Sequence, residues 1–317
     1  MPNPGEGHTY PPQSVSWTKR DLLLFAASIG VSPSSLHLLY ELHPSFAAFP
    51  TYPIILPFKG TSPEVIDFYA TQSANRSSIP GVPRLDSRRV VDGERTIEFH
   101  KPLPLTSSDG NGNGSYEIHS RVLGVYDKGA PGTVVETEQV LLNTGSKEIY
   151  TRAVGRSFFV GQGNWGGPKG PKTETYPPPE GREPDARYEY QTNASTALLY
   201  RLNGDYNPLH ATPEPGRKMG FGGAIVHGLF SWNCACVGVL RELGGDEPAN
   251  MKMFSARFAS PVRPGDELVT EMWRMGDQDA EGFEEVRFVT KVKGGKVCLS
   301  NGRARVKVVG RKAQSKL

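Results

Sequence analysis

Between Tyr200 and His227 the chain reads YRLNGDYNPLHATPEPGRKMGFGGAIVH, and six consecutive positions of it hold a carboxyl, an amide and an imidazole: Asp205, Asn207 and His210. Gly204 and Pro208 fix the backbone around them as a short loop. One such group can take a proton, another can give one, and the third can orient a water, which is the equipment of acid/base catalysis. Spacing alone leaves a second reading open, a loop salt bridge or a set of turn caps, because Asp, Asn and Pro are also the usual residues of turns. Further on, Gly228 stands near the start of an apolar helix. Its backbone N–H is a candidate oxyanion donor, since helix N-termini carry unpaired N–H groups and a glycine allows close approach; close packing of helix on sheet is the alternative use of that glycine. His227 reads as a structural residue that hydrogen-bonds the neighbouring loop.

The passage resembles the signature of the hydratase 2 family, the MaoC-like (3R)-specific enoyl-CoA hydratases, in which Tyr-Arg-Leu-Ser-Gly-Asp-x-Asn-Pro-Leu-His precedes a Gly-Phe and a His-Gly-Leu. Here these positions are Tyr200 through His210, Gly220-Phe221 and His227-Gly228-Leu229. The first half is similar to the noncatalytic repeat of the same family through LYELHPSFAAFPTYPIILPF, Leu39 to Phe58, and RTIEFHKPLP, Arg95 to Pro104. The resemblance covers most of residues 15–310. It implies a fungal-type double hot-dog protein of the α+β class, with two antiparallel sheets each wrapped round a central helix, and a homodimer. It also implies reversible hydration of a trans-2-enoyl-CoA to a (3R)-3-hydroxyacyl-CoA, with Asp205 and His210 as the acid/base pair and Asn207 helping to hold them and the water. An imidazole of ordinary pKa, ~6.5, can be the base at neutral pH, whereas Asp205 must be partly buried to hold a proton there. Two positions depart from the pattern: Asn203 replaces the usual Ser, and Ala211-Thr212-Pro213 follows His210 in place of an acidic x-Asp-Pro. Two other activities stay open at this level, a hot-dog thioesterase and a catalytically silent acyl-CoA-binding protein.

The elements that must position these residues fall into two similar halves. A helix from Thr18 to Ile29, capped by Thr18, opens the first, followed by a stretch from Phe46 to Phe58 that Pro50, Pro53 and Pro57 keep from being a continuous helix, and by a shorter helical pattern from Pro63 to Gln72. Four strand-like runs then begin near Glu94, with the loop Ser107 to Ser115 between the first two. Residues 165–186 are rich in Pro and Gly and read as a linker between an N-terminal repeat, 1–164, on the acyl-tail side and a catalytic repeat, 187–310. The second half begins with an extended segment, Arg187 to Leu199, continues into one apolar helix from about Gly223 to Leu243, and ends in four more strand-like runs. Nothing in the first half matches GDYNPLH, so one active site per chain is expected, and His8, His37, His43, His100 and His119 read as ordinary histidines.

Composition narrows the partners. With 36 Lys+Arg against 33 Asp+Glu and a formal net charge of +3, the chain lacks the basic excess of a nucleic-acid binder. Its apolar runs are too short for a membrane span, and its first residues do not read as a signal peptide. Cys234, Cys236 and Cys298 have no metal-ligand spacing and read as reduced core thiols; no metal and no redox cofactor is indicated. The phosphates of a coenzyme A ester would be met by Arg257 and Arg263, or by Arg303, Arg305 and Lys307 on the last strand, although alternating Arg on a strand is usually solvated surface. Residues 311–317 form a tail that ends in Ser315-Lys316-Leu317, the tripeptide read by the peroxisomal import receptor, which places the protein in the peroxisome, in fatty-acid β-oxidation or in tailoring an acyl or polyketide-derived CoA ester.

Overall fold

A helix that is apolar on every side has to be enclosed. The helix Gly228–Leu243 is of this kind: Leu229 through Leu240 are all buried, and strands of the second half pack around it. A computed structural model describes residues 4–68, 78–108 and 115–309 of the chain. The helix starts later than the expected Gly223. Gly220 and Gly222 adopt left-handed φ values of +83° and +82°, and the next residues run extended because Ile225 N–H donates to the Leu209 carbonyl (3.3 Å) and Val226 N–H to that of Val262 (2.8 Å).

The strands are β1 Gln13–Val15, β2 Val90–Phe99, β3 Tyr116–Asp127, β4 Gly132–Asn143, β5 Ile149–Val160, β6 Ala186–Gln191, β7 Met251–Phe258, β8 Glu267–Gln278, β9 Glu284–Val292 and β10 Val297–Val306. They form one sheet in the order β1-β3-β4-β5-β2-β7-β10-β9-β8-β6, antiparallel at every described pairing. The expectation of two sheets, each around its own helix, is therefore corrected twice. The sheets are continuous, joined where β2 pairs with β7 from Glu94↔Arg257 to Glu98↔Met253. Among the described residues, only the second half carries a helix as long as Gly228–Leu243. In the first half the prolines leave a 3-10 turn, Tyr52–Ile55, and a short helix, Leu56–Lys59, since each ring removes a backbone donor. Together with the capped helix Lys19–Ser28, these turns bury Phe25, Tyr52 and Leu56 in the same core cluster as Ile97, Trp232, Phe254 and Phe288.

Smaller differences have local causes. The extended segment after Arg187 ends at Gln191, and Thr196–Tyr200 is helical, its Asn193–Thr196 turn closed by the Asn193 N–H bond to Thr196 Oγ1 (2.9 Å). Residues 63–67 are not helical, Phe68 is, and 69–72 lie outside the described residues. The Pro/Gly-rich stretch 165–185 carries no helix or strand, yet it is tied to both halves. The Trp165 and Gly166 N–H groups donate to the Asp127 carboxylate (2.7 and 2.9 Å), and Tyr176 takes the Arg303 guanidinium over its ring at 4.5 Å. Burial raises the Asp127 pKa, but N–H groups of Gly129, Asn164, Gly166 and Trp165 outweigh it and hold the carboxyl below its usual range. All three cysteines are free and buried, and burial pushes the Cys298 thiol up to about 12. No described helix is long and apolar enough to cross a membrane. The terminal Ser315-Lys316-Leu317 lies outside the described residues.

Candidate active site

The loop that carries the polar triad is built against the first half of the chain. After the helix Thr196–Tyr200, a 3-10 turn, Arg201–Asn203, ends at Gly204 with φ +117°, a conformation that favours glycine. A Cβ at Gly204 would lie 2.7 Å from the backbone nitrogen of Lys59, so the position also needs the bare backbone. Asn203, the departure from Ser, donates from Nδ2 to Ser28 Oγ and to the Tyr200 carbonyl, both at 2.8 Å. It therefore braces the loop on the helix Lys19–Ser28. Asn207 Oδ1 accepts from Leu209 N–H (3.0 Å) and caps the 3-10 turn Pro208–His210, which leaves its amide nitrogen without a partner among the described residues.

A carboxylate oxygen of Asp205 and one ring nitrogen each of His210 and His227 lie within 4.8 Å of one another. His210 Nδ1 is 2.9 Å from the Ile225 carbonyl, which can only accept, so Nδ1 bears the hydrogen and Nε2 keeps its lone pair. Burial lowers the His210 pKa, against the opposing pull of the Asp205 charge. Burial raises that of Asp205, against the pull of His210 and the N–H of Asn207. Both shifts favour the uncharged forms, a carboxylic acid beside a neutral imidazole. His227 donates from Nε2 to the Asp205 carbonyl (3.1 Å) and stacks on His210 with ring centroids 3.7 Å apart at 25°. Burial, with the charge of His210, holds its pKa well below the usual value. The expected structural role of His227 thus takes a definite form: it props both the Asp205 backbone and the His210 ring. Two His and an Asp are also metal-binding residue types. In each ring one nitrogen is committed to a backbone carbonyl, Nδ1 of His210 to that of Ile225 and Nε2 of His227 to that of Asp205.

Gly228 is exposed and is the first residue of its helix, where no side chain caps the end. Its N–H is thus one of the groups a helix cannot pair internally. A Cβ there would sit 3.1 Å from the Phe258 ring, so a larger residue would crowd the approach. The arginines expected to meet coenzyme A are placed differently from this site. Arg257 pairs with Glu94 (3.4 Å), Arg303 with Glu285 (2.8 Å) and Arg305 with Asp279 (2.6 Å), on the side of their strands opposite buried Ala256, Ala304 and Val306. Arg263 is exposed and donates to the Phe221 carbonyl (3.1 Å) on the glycine-rich loop that leads to His227. A surface cleft between Glu183–Arg187 and Val308–Val309, lined also by Glu242 and Leu243 at the C-terminal end of the long helix, holds none of the polar triad. One feature was missed by sequence reasoning: Asp92, on β2 of the first half, has its charge felt at both Asp205 and His210. The available signal was the run Asp92-Gly93-Glu94-Arg95, since a glycine within a strand pattern marks a bulge.

Comparison with known proteins bears on the whole chain. The MaoC like domain matches residues 176–296, and the MFE-2 hydratase 2 N-terminal domain matches residues 15–161. A probable dehydratase of Ajellomyces capsulatus is 51% identical, the match covering 97% of this chain and 83% of that protein. The chain belongs to the MaoC-like hydratase 2 family. Other members resembling it include a probable enoyl-CoA hydratase 2 of Dictyostelium discoideum, 30% identical over 84% of this chain and 85% of that protein. A solved MaoC-like dehydratase from Phytophthora capsici superposes with a TM-score of 0.80 at 30% identity, covering 96% of this chain and 97% of its own. The full-length peroxisomal multifunctional enzyme type 2 of Drosophila melanogaster gives 0.73 at 27% identity, with 93% of this chain and 48% of that one covered. A Mycobacterium tuberculosis protein described as having a double hot-dog fold covers 95% of each chain at 14% identity and a TM-score of 0.56, and shares the fold alone. As a hydratase 2 family member this is an α+β double hot-dog protein of a hydro-lyase family.

Proposed function

We propose that the protein hydrates trans-2-enoyl-CoA thioesters reversibly to (3R)-3-hydroxyacyl-CoA. The observation that carries this reading is the half-buried pair itself, Asp205 and His210, whose surroundings push each towards its neutral form. In hydration, Nε2 of His210 takes a proton from water as the oxygen attacks the β-carbon. The electron pair moves towards the thioester oxygen, where the Gly228 N–H supports the enolate charge. Asp205 then delivers its proton to the α-carbon. The two groups stand together on one side, which gives syn addition, and the Asn207 amide nitrogen is available to hold the water. Dehydration runs the same steps backwards. Arg263, exposed beside the glycine-rich loop, is better placed for the coenzyme A phosphates than Arg257, Arg303 or Arg305, which already have carboxylate partners. In the first half, a mostly apolar seam lined by Pro53, Ile54, Pro57, Ile97 and Leu141, with only about 10 Å³ of accessible space, is where an acyl tail would enter if the seam opens to admit it. The terminal Ser315-Lys316-Leu317 and the peroxisomal relatives in mouse and Arabidopsis thaliana support import into the peroxisome.

Purified protein mixed with a trans-2-enoyl-CoA tests the reading directly. Loss of the conjugated absorbance without release of free thiol, and a (3R) product on chiral resolution, are the expected results. Asp205→Asn and His210→Ala should each lower kcat by a factor of about 10²–10⁴. Free thiol in place of hydroxy product would mean a thioesterase, and full activity in either variant would overturn the mechanism.

A further inference from the structure

Strand β2 carries an ion pair on its inward face. Ile97 is fully buried and stands opposite Ala153 on one side and Phe254 on the other. Two residues along, and so on the same face, Arg95 stands opposite Gly155 and Ala256. In a regular strand Asp92, three residues from Arg95, would face outward. A bulge at Gly93, where the register with β5 shifts between Asp92 and Glu94, turns it inward instead. Its Oδ1 accepts from Nη2 and Nε of Arg95 at 2.7 and 3.1 Å. Gly155 supplies the room, because a Cβ there would lie 2.5 Å from Nη1 of Arg95.

An ion pair on a core-facing strand costs desolvation and adds little stability that apolar residues would not. Its position is more informative. On one side of it, Trp232 Nε1 donates to the Arg95 carbonyl (3.3 Å), one helical turn from Gly228, and Phe258 of the adjoining strand rests against Gly228. The Asp92 charge also reaches Asp205 and His210. On the other side, Ile97 and Ala153 line the mostly apolar seam. Arg95 therefore stands between the acid/base pair and the seam. Asp92 occupies its Nε and Nη2, Nη1 has no partner among the described residues, and 16% of the side chain stays accessible.

We propose that Arg95, held in place by Asp92, recognises an oxygen acceptor on the acyl chain of the substrate, a carboxylate in the strongest case. This rests on the hydration reading above. An acyl chain that starts at Asp205 and His210 and runs towards the seam, which has about 10 Å³ of accessible space and must open to admit it, passes the guanidinium, whose Nη1 hydrogens donate to the acceptor. A plain alkyl chain covers the same group without pairing it, so the site both attracts oxygenated chains and penalises unsubstituted ones.

Two thioesters of equal length provide the test, (2E)-hexenoyl-CoA and the ω-carboxylated (2E)-hexenedioyl-CoA. The wild-type protein should favour the carboxylated ester in kcat/KM, chiefly through KM. In the double variant Asp92→Asn/Arg95→Met, which removes both charges together, the ratio of kcat/KM for the two esters should fall by about tenfold or more, as loss of a charge-assisted hydrogen bond requires. Binding of the saturated pair, hexanoyl-CoA and hexanedioyl-CoA, measured by calorimetry, should show the same preference and the same loss. That arm needs no turnover, so it reads the role of Arg95 even if the hydration reading fails. Equal treatment of the two saturated esters by the wild-type protein would overturn the proposal whatever the variant does, and so would a ratio unchanged in the double variant.

Discussion

Individual groups in this site are tuned by what surrounds them. Burial lowers the His210 pKa below its ordinary value of 6.5, the Asp205 charge pulling it back, so the ring stays a competent base in mildly acidic solution. A base with a depressed pKa loses its free form only when the pH falls through that lower value. The acid-side midpoint of kcat/KM should therefore lie below about 6.5, the value for a free imidazole. A pH–rate profile whose acid limb sits at or above that value would remove His210 from the role. Sequence singled out Asp205, Asn207 and His210 as candidates readily, because all three sit on one short loop and the chain order itself displays them. It did not reveal Asp92 and Arg95. They reach the site only because Gly93 bulges a strand of the other half and β2 then pairs with β7; the glycine within the strand pattern hints at the bulge, but the β2–β7 pairing has no local signature. His227 lay in plain view, but that it stacks on His210 and bonds the Asp205 carbonyl depends on how two loops fold back on each other.

At the level of elements, the long helix is where composition spoke most clearly. An apolar stretch this continuous announced a buried helix, and it is one. Its start was misplaced because backbone bonds from Ile225 and Val226 to distant carbonyls keep the preceding residues extended, and periodicity does not register long-range bonds. Within the helix, Gly238 lies against Tyr188 of β6: a Cβ would approach the ring carbons Cγ and Cδ1 to 2.7 Å. In an open helix Gly→Ala gains about 1 kcal/mol, whereas overpacking a filled core costs about 1–3 kcal/mol. Tyr188 is itself buried and cannot swing away freely, so the collision should prevail. Gly238→Ala is accordingly expected to lower the Tm, and a Tm at or above that of the wild type would show that the β6–helix contact yields. The first half follows the opposite logic. Its prolines gave fair warning that Phe46 to Phe58 is no continuous helix, and the stretch holds only a 3-10 turn and a four-residue helix.

The whole molecule responds to acid through the buried His227 and the half-buried His210. His227 and His210 titrate in the folded protein below the 6.5 of the unfolded chain. Between those values the unfolded state binds more protons, so this contribution is fully present above pH ~6.5 and is lost as the pH falls towards the folded values. Asp205, raised by burial, works in the opposite sense, holding a proton in the folded state that the unfolded chain gives up, but it is one group against two. Tm should thus fall between about pH 7.5 and 5.5, and the slope should shrink in His227→Gln, which keeps a donor for the Asp205 carbonyl but has no ring to protonate. An unchanged slope in that variant would place the acid sensitivity elsewhere.

The contact between Gly204 and the backbone of Lys59 gives the molecule one more property. The acid/base loop is seated on the other half of the chain, and Asn203 is fastened there by Ser28. Under the proposed function, catalysis would therefore double as a proximity sensor. A chain severed inside 165–185, where the backbone forms no helix or strand, would yield two fragments, each lacking part of the seat. Turnover would return only on reassembly, so the rate at which a mixture of fragments gains activity would time the closing of the β2–β7 seam.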